Sequence, residues 1–327
     1  MQPDCKTNLN YHSENLRRLE EIIVREADPK NIVRRRCTAW ENFSCSRRTY
    51  IMGKLRFEYQ MKLNFSSPVT GHYFALRCVP GDSLRQEITL TEFCVSPADY
   101  TVRTTDGFGN LRISGCCMLP HESFGYRISG TVETKGMLLM KSPLHPMYRY
   151  PSKYTRPEPE ILEFTRAVRE ECMRQNAETE MERAVCAMDY LYTHFTYSPG
   201  ITDIRTTAAE ALRLGKGVCQ DYAHIMTAVM RCMGIPARYV NGLMIGEGST
   251  HAWVEVYVDG GWYGLDPTND LHIDAYYIKL AHGRDYDDCA VDVGRFLGSA
   301  SQDLKISVNV EDISDGRDSS VNGTSGG

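Results

Sequence analysis

Alternation between apolar and polar residues is the strongest pattern in the first half of the chain. From Leu55 to Phe65, apolar side chains occupy every second position, and charged or amide side chains occupy the positions between them. This period of two predicts a β-strand with one buried face. Further β-like runs follow at 72–78, 87–95, 100–104, 110–115 and 123–134, and Asp106-Gly107-Phe108-Gly109 predicts a hairpin turn. The pattern predicts an antiparallel β domain over residues 53–140, in which no group of residues suggests chemistry.

The second half changes to helical periodicity after a proline-rich linker, predicted over residues 141–157. Two amphipathic helices are predicted from apolar faces that comprise Ile161, Thr165, Val168 and Cys172, and then Met181, Val185, Met188, Tyr192 and Phe195. A third helix is predicted by the capping box of Thr207 and Glu210, with Gly215 as its C-terminal cap. Residues 158–312 are predicted to form the second domain.

The two ends of the chain show little pattern. Residues 1–52 are predicted to be a poorly structured extension, with one short amphipathic helix beginning at Ser13. Their removal should change the melting temperature little. A second interpretation places the natural start of the chain near Met52. Residues 313–327 are predicted to be a disordered tail.

Composition narrows the class of protein without naming a function. The chain has 327 residues, enough for two domains, with 42 acidic against 37 basic residues. That balance argues against a nucleic-acid partner. No apolar run reaches the roughly 18 residues of a membrane helix, and the start has no signal-peptide core. We therefore expect a cytoplasmic protein without a membrane partner, in which most of the 12 cysteines are reduced and buried.

One cysteine has a context that suggests reactivity. Cys219 follows a glycine-rich approach and opens a predicted helix that ends at Gly234. A thiol at a helix N-terminus faces unpaired amides and the positive end of the helix dipole, which stabilise a thiolate. The Cys219 amide is also a candidate oxyanion donor. A nucleophile of this kind needs a base, and the base needs an orienting group.

A predicted hairpin downstream supplies both groups. His251 begins a strand, Asp259-Gly260 forms the turn, and Asp266 ends the returning strand. A two-residue turn pairs residue 258 with 261, so Asp266 lies opposite Trp253 and one diagonal step from His251. Diagonal neighbours are within reach of a His–Asp hydrogen bond. Cys219, His251 and Asp266 therefore form a candidate catalytic triad.

These residues lie in four motifs that resemble the core of the transglutaminase-like superfamily. The motifs are Gly217-Val218-Cys219-Gln220-Asp221-Tyr222-Ala223, Gly234-Ile235-Pro236-Ala237-Arg238, His251-Ala252-Trp253-Val254-Glu255 and Asp266-Pro267-Thr268. The similarity is densest over residues 200–270. The β-rich N-terminal domain resembles the β domain that is added in the prokaryotic branch of cysteine peptidases. The resemblance implies an α+β, papain-like core in which the helix that bears the cysteine packs on an antiparallel sheet.

The resemblance also implies thiol-dependent acyl transfer on amide bonds of a peptide or protein. Hydrolysis is our first expectation, and cross-linking of glutamine to lysine is the alternative. A peptide-binding module that keeps the fold without activity is a third possibility. Gln220, Tyr197 and Trp253 are candidate oxyanion or substrate residues. No metal and no cofactor are predicted, because Asp285, Asp287 and Asp288 lack the glycine and final glutamate of a calcium loop. Substrate identity and oligomeric state stay open.

Overall fold

The computed structural model describes residues 52–136 and 140–314. The predicted helix near Ser13 and the expectation for deletion of the N-terminal extension concern residues outside these ranges. The same is true of the predicted tail from residue 315 onward. Among the described residues, no helix is both long and apolar enough to cross a membrane.

The first sheet is built around one long strand. Strand β1 (Met52–Leu76) alternates buried and exposed residues as its sequence predicts, with Leu55, Phe57 and Tyr59 facing the core. Strands β2 (Gln86–Ser96), β3 (Tyr100–Thr105), β4 (Leu111–Cys117) and β5 (His121–Lys135) follow in the chain. The pairing is antiparallel throughout: β5 lies between β1 and β2, and β4 joins β1 to β3. The predicted turn at residues 106–109 is confirmed between β3 and β4.

Strands from the far end of the chain complete this sheet. Strand β1 also pairs with β15 (Asp292–Leu297) and β16 (Gln302–Asp312), and β16 pairs with β10 (Gly246–Gly248). These three strands lie in the 158–312 range that the sequence assigns to the second domain. The domain limits stay a prediction, but the first sheet draws strands from both halves of the chain.

The four longer helices pack against one another, and a short fifth helix packs against the second sheet. They are α1 (Pro159–Arg174), α2 (Glu180–His194), α3 (Ala208–Leu214), α4 (Cys219–Cys232) and the short α5 (Tyr286–Cys289). The capping box of Thr207 and Glu210 is confirmed, and Gly215 ends α3 in the left-handed conformation with φ of 69°. A single turn of 3-10 helix, Pro146–Arg149, lies in the proline-rich linker.

The second sheet carries the candidate hairpin. Its strands are β6 (Met140–Lys141), β9 (Ala237–Met244), β11 (His251–Val258), β12 (Gly261–Asp266), β13 (Leu271–His272) and β14 (Tyr277–Gly283). Their main order is β13-β12-β11-β9-β14, and β14 is an edge strand. Helix α4 packs against the apolar face of β11, where Ala252, Val254 and Val256 are buried. A small parallel pair, β7 (Thr196–Tyr197) and β8 (Lys216–Gly217), leads into α4. The fold is α+β with a papain-like core, as the sequence predicts.

Candidate active site

Cys219 is the first residue of α4, and the chain before it is held in place by Asp221. The Asp221 carboxylate Oδ2 accepts hydrogen bonds from the Val218 amide at 2.8 Å and from the Thr202 hydroxyl at 2.7 Å. Both bonds fix the entry of the chain into the helix, because Asp221 lies in its first turn. The thiol of Cys219 is partly exposed, and it stands where the amides of the first turn have no partner within the helix.

His251 and Asp266 meet across the hairpin in the predicted register. Val258 pairs with Gly261 and Val254 with Leu265, so Asp266 lies one step beyond the last pair of the hairpin. His251 Nε2 is 2.8 Å from Asp266 Oδ2, which confirms the predicted hydrogen bond. Because Nε2 is bound to the carboxylate, Nδ1 is the ring nitrogen left to face a nucleophile.

The Asp266 carboxylate is fully buried and accepts four hydrogen bonds. Oδ2 also receives the Asn269 amide at 2.8 Å and the Tyr277 hydroxyl at 2.9 Å, and Oδ1 receives the Thr268 backbone amide at 3.0 Å. The sequence reasoning missed Asn269 and Tyr277. Asn269 follows Asp266 by three residues, a spacing that permits a local side-chain contact. Nothing local points to Tyr277, because it reaches Asp266 from another strand.

Burial and charge shift the pKa values of His251 and Asp266 in opposite directions. Burial lowers the pKa of His251, but the Asp266 carboxylate outweighs it and, with a contribution from Cys219, raises that pKa to about 10. Burial raises the pKa of Asp266, and the charge and hydrogen bond of His251 reverse the effect and lower it. The arrangement stabilises an imidazolium–carboxylate pair in a dry site. Because Cys219 contributes to the raised pKa of His251, its side chain lies near the imidazole that Asp266 orients.

Comparisons with known proteins identify the family of this chain. Residues 166–267 match the model of the transglutaminase-like superfamily core, and residues 55–133 match the bacterial transglutaminase-like N-terminal region. The chain is 30% identical to the uncharacterized protein Rv2569c of Mycobacterium tuberculosis over 274 residues, which cover 72% of this chain and 85% of that protein. The chain belongs to the transglutaminase-like superfamily. An uncharacterized protein of Mycobacterium leprae, ML0607, is 29% identical over 282 residues, covering 79% of this chain and 99% of the relative.

Among solved structures, the fold of this superfamily member is similar to that of a protein from Cytophaga hutchinsonii, named a "Putative Cysteine Protease". The TM-score is 0.63 and the identity is 22%, with 81% of this chain and 93% of that chain covered. At this identity the similarity concerns the fold. The relatives in sequence are bacterial proteins, in keeping with the prokaryotic branch.

The three further candidates of this transglutaminase-like site differ in their surroundings. Gln220 follows the nucleophile, and its buried Nε2 has no hydrogen-bond partner in the described part of the chain. Trp253 is almost fully buried and packs with Val240 and Tyr277, so core packing accounts for its ring. Its indole Nε1, like Gln220 Nε2, is a buried donor without a partner among the described residues. Tyr197 is half exposed on β7, beside the strand that leads into α4.

The acidic residues near position 285 have structural partners. Asp285 caps α5, Asp287 pairs with Lys153 at 2.8 Å, and Asp288 pairs with Arg284 at 2.8 Å. Within residues 52–136 and 140–314, no group of three or more His, Cys, Asp and Glu side chains is arranged to hold a metal ion.

Proposed function

We propose that the chain is a cysteine peptidase or amidase that hydrolyses amide bonds of peptides or proteins. The observation that carries this proposal is the pairing of His251 with a fully buried Asp266, with the Cys219 side chain near enough to contribute to the pKa of the same imidazole. A buried carboxylate that orients a histidine beside a thiol at a helix start is the arrangement that nucleophilic catalysis requires.

The proposed reaction proceeds through a thioester. The Cys219 thiolate attacks the amide carbonyl carbon, and the Cys219 backbone amide and Gln220 Nε2 donate to the developing oxyanion. The His251 imidazolium gives its Nδ1 proton to the leaving amine as the carbon–nitrogen bond breaks. Water then attacks the thioester while the neutral imidazole takes its proton, and the carbon–sulfur bond breaks, which releases the carboxylic acid and restores the thiolate and the imidazolium. Asp266 holds the ring and stays ionised throughout.

Hydrolysis is favoured over transfer to an amine because transfer needs a site that excludes water and orients a lysine. Among the described residues we identify no set of side chains arranged for that purpose. Tyr197 is exposed on β7 and pairs with Gly217, two residues before Cys219.

The first test measures whether Cys219 is a reactive thiol. Six of the nine described cysteines are buried, and Cys94 is exposed on β2. The full chain, with Cys94→Ser to reduce the background, should be alkylated by iodoacetamide fastest at Cys219, as mapped by mass spectrometry. His251→Gln should remove this advantage near pH 6. Equal rates at all accessible cysteines would contradict the catalytic proposal and support a peptide-binding module.

The second test identifies the acceptor. The chain is incubated with a peptide library, with and without a labelled primary amine, and the products are read by mass spectrometry. Cleavage or deamidation that Cys219→Ala abolishes supports the proposal. Rapid incorporation of the amine into glutamine-containing peptides, with little hydrolysis, would instead identify a cross-linking transglutaminase.

A further inference from the structure

The turn that precedes Tyr277 is bound by side chains of the first sheet. Arg85, which lies just before β2, donates from Nη1 to the Ile273 carbonyl at 3.3 Å and from Nη2 to the Asp274 carbonyl. The Thr134 hydroxyl on β5 donates to the Ala275 carbonyl at 2.5 Å. Three successive backbone carbonyls are therefore held by residues 85 and 134. Arg85 and Thr134 are both buried, so these bonds are shielded from water.

The strand that follows Tyr277 is held from the same side. The carboxamide of Gln86 donates from Nε2 to the Lys279 carbonyl at 2.8 Å and accepts from the Lys279 amide at 2.8 Å. The amide of a side chain thus takes the place of a neighbouring strand on the free edge of β14. Tyr277 consequently lies between two anchors, one on residues 273–275 and one on residue 279.

A second carboxamide repeats this contact farther along β14. Asn110 donates to the His282 carbonyl at 2.8 Å and accepts from the His282 amide at 2.9 Å. Its chemistry and burial match those of Gln86, but it binds β14 five residues beyond Tyr277. Asn110 is therefore an internal control for contacts that join the first sheet to β14 without bordering Tyr277.

We infer that Arg85, Gln86 and Thr134 are positioning residues, through which the first sheet holds the Tyr277 hydroxyl on Asp266 and so fixes the orientation of His251. This inference rests on the proposed function for its catalytic meaning. The Tyr277 hydroxyl binds the same Oδ2 atom that accepts from His251 Nε2, so displacement of the tyrosine leaves the carboxylate less constrained. A misplacement of about 1 Å far from the reacting atoms is enough to impair a catalytic group.

In this arrangement the N-terminal sheet has a role that does not require it to touch the substrate. Side chains that reach across from β2 and β5 complete the support of a carboxylate whose own strand lies in the second sheet. Near the His251 ring, the titratable groups in this arrangement are Asp266, Cys219 and Tyr277, whose ring centre is 6.2 Å away, and the ring centre of Trp253 is 6.4 Å away.

The test measures the state of His251 directly. In a Cys219→Ala background with isotope-labelled histidine, the pKa of His251 is followed by NMR, with His251→Gln used for assignment. Tyr277→Phe, Thr134→Val and Gln86→Met should each shift the pKa of His251 by about half a pH unit or more, since each removes or displaces a hydrogen-bond donor to the carboxylate that binds the imidazole. Asn110→Leu should leave the pKa unchanged although it removes equivalent backbone contacts.

A second variant separates positioning from general damage to the fold. If Thr134 acts through the Tyr277 hydroxyl, Thr134→Val should add no further shift in a Tyr277→Phe background. Unchanged titration in Thr134→Val and Gln86→Met, with only a lower melting temperature, would overturn the inference, and so would an equal shift in Asn110→Leu. The NMR result does not depend on turnover. A protein with no detectable hydrolysis but with the expected shifts would contradict the proposed function and leave the positioning network intact.

Discussion

Gly217 lies directly against the carboxylate of Asp221. A Cβ atom at residue 217 would stand 2.3 Å from Asp221 Oδ2, which is closer than non-bonded atoms can approach. The same oxygen receives the Val218 amide and the Thr202 hydroxyl. A side chain at 217 would therefore displace the group that organises the start of the helix bearing Cys219.

Gly217→Ala should consequently reduce stability and disturb the candidate nucleophile. We expect a loss of about 1–3 kcal/mol in the free energy of unfolding, because overpacking forces Asp221 from its position. Chemical denaturation measures the loss, and the alkylation rate of Cys219 should fall with it. Gly81→Ala is the control, since a Cβ at residue 81 meets nothing within 4 Å. Equal stability of the two variants would show that Asp221 adjusts at no cost.

Asp266→Asn should reduce turnover far more than binding. The asparagine keeps the size of the side chain but removes the charge that stabilises the His251 imidazolium, so kcat should fall about 10²–10⁴-fold. The pKa of His251, raised to about 10 in the folded chain, should drop towards its ordinary value. The fall in rate on the alkaline side of the pH profile should therefore move to lower pH. A profile of unchanged shape with a small loss of kcat would contradict the assigned role.

Local sequence patterns were sufficient to predict much of the candidate site. The two-residue turn at Asp259-Gly260 fixes the register of β11 and β12, and that register alone places His251 within reach of Asp266. The start of α4 is equally local, since its signals lie within a few residues of Cys219. The fold class followed from the strand and helix periodicities of the chain together with the motifs that resemble the superfamily.

Contacts between distant segments were beyond the reach of sequence reasoning. The pairing of β16 with β1 joins residues about 250 positions apart, and both strands have several possible partners of the same pattern. The bonds from Arg85 and Thr134 go to backbone carbonyls, which every residue has, so no residue type marks the acceptor. Tyr277 reads equally well as a core aromatic until the sheet order is known.

Asp292 is predicted to make stability depend on pH. The residue lies on β15, and its buried Oδ1 has no hydrogen-bond partner in the described ranges. Burial raises its pKa to about 7. Between the ordinary value near 4 and pH 7, the folded chain therefore keeps a proton that the unfolded chain releases, so this group lowers stability as the pH rises through that window.

Asp292→Asn should remove this dependence. At pH 8 the variant should be more stable than the parent chain, by at most about 4 kcal/mol, and the difference should shrink towards zero near pH 4. Urea denaturation at several pH values measures it. Asp303→Asn, at an exposed carboxylate on β16, is the control and should follow the parent curve. A variant that is less stable at pH 8 would mean that the ionised carboxylate has a favourable partner.

Glu255 holds two cations on the sheet face that also bears His251. Its Oε2 accepts from Arg238 Nε at 2.6 Å and from Lys279 Nζ at 2.7 Å, and the Arg238 guanidinium lies 4.1 Å from the centre of the Trp262 ring. Burial raises the pKa of Glu255, but Arg238 and then Lys279 outweigh this and lower it. Burial also lowers the pKa of Lys279 to about 7, against the opposing effect of Glu255.

Glu255→Gln should therefore be strongly destabilising, because it leaves two buried cations without their counter-ion. The loss should be about 3–5 kcal/mol near pH 6, measured by chemical denaturation. It should decrease as the pH rises through about 7, because the folded parent then loses the Lys279 proton and the Glu255 charge is left with only Arg238 to offset. Glu255→Gln with Lys279→Met should recover part of the loss. Glu311→Gln, which breaks an exposed pair with Arg56, is the control and should change stability little. A loss in Glu255→Gln that stays constant with pH and is not relieved by Lys279→Met would show that shape, and not charge, is what Glu255 contributes.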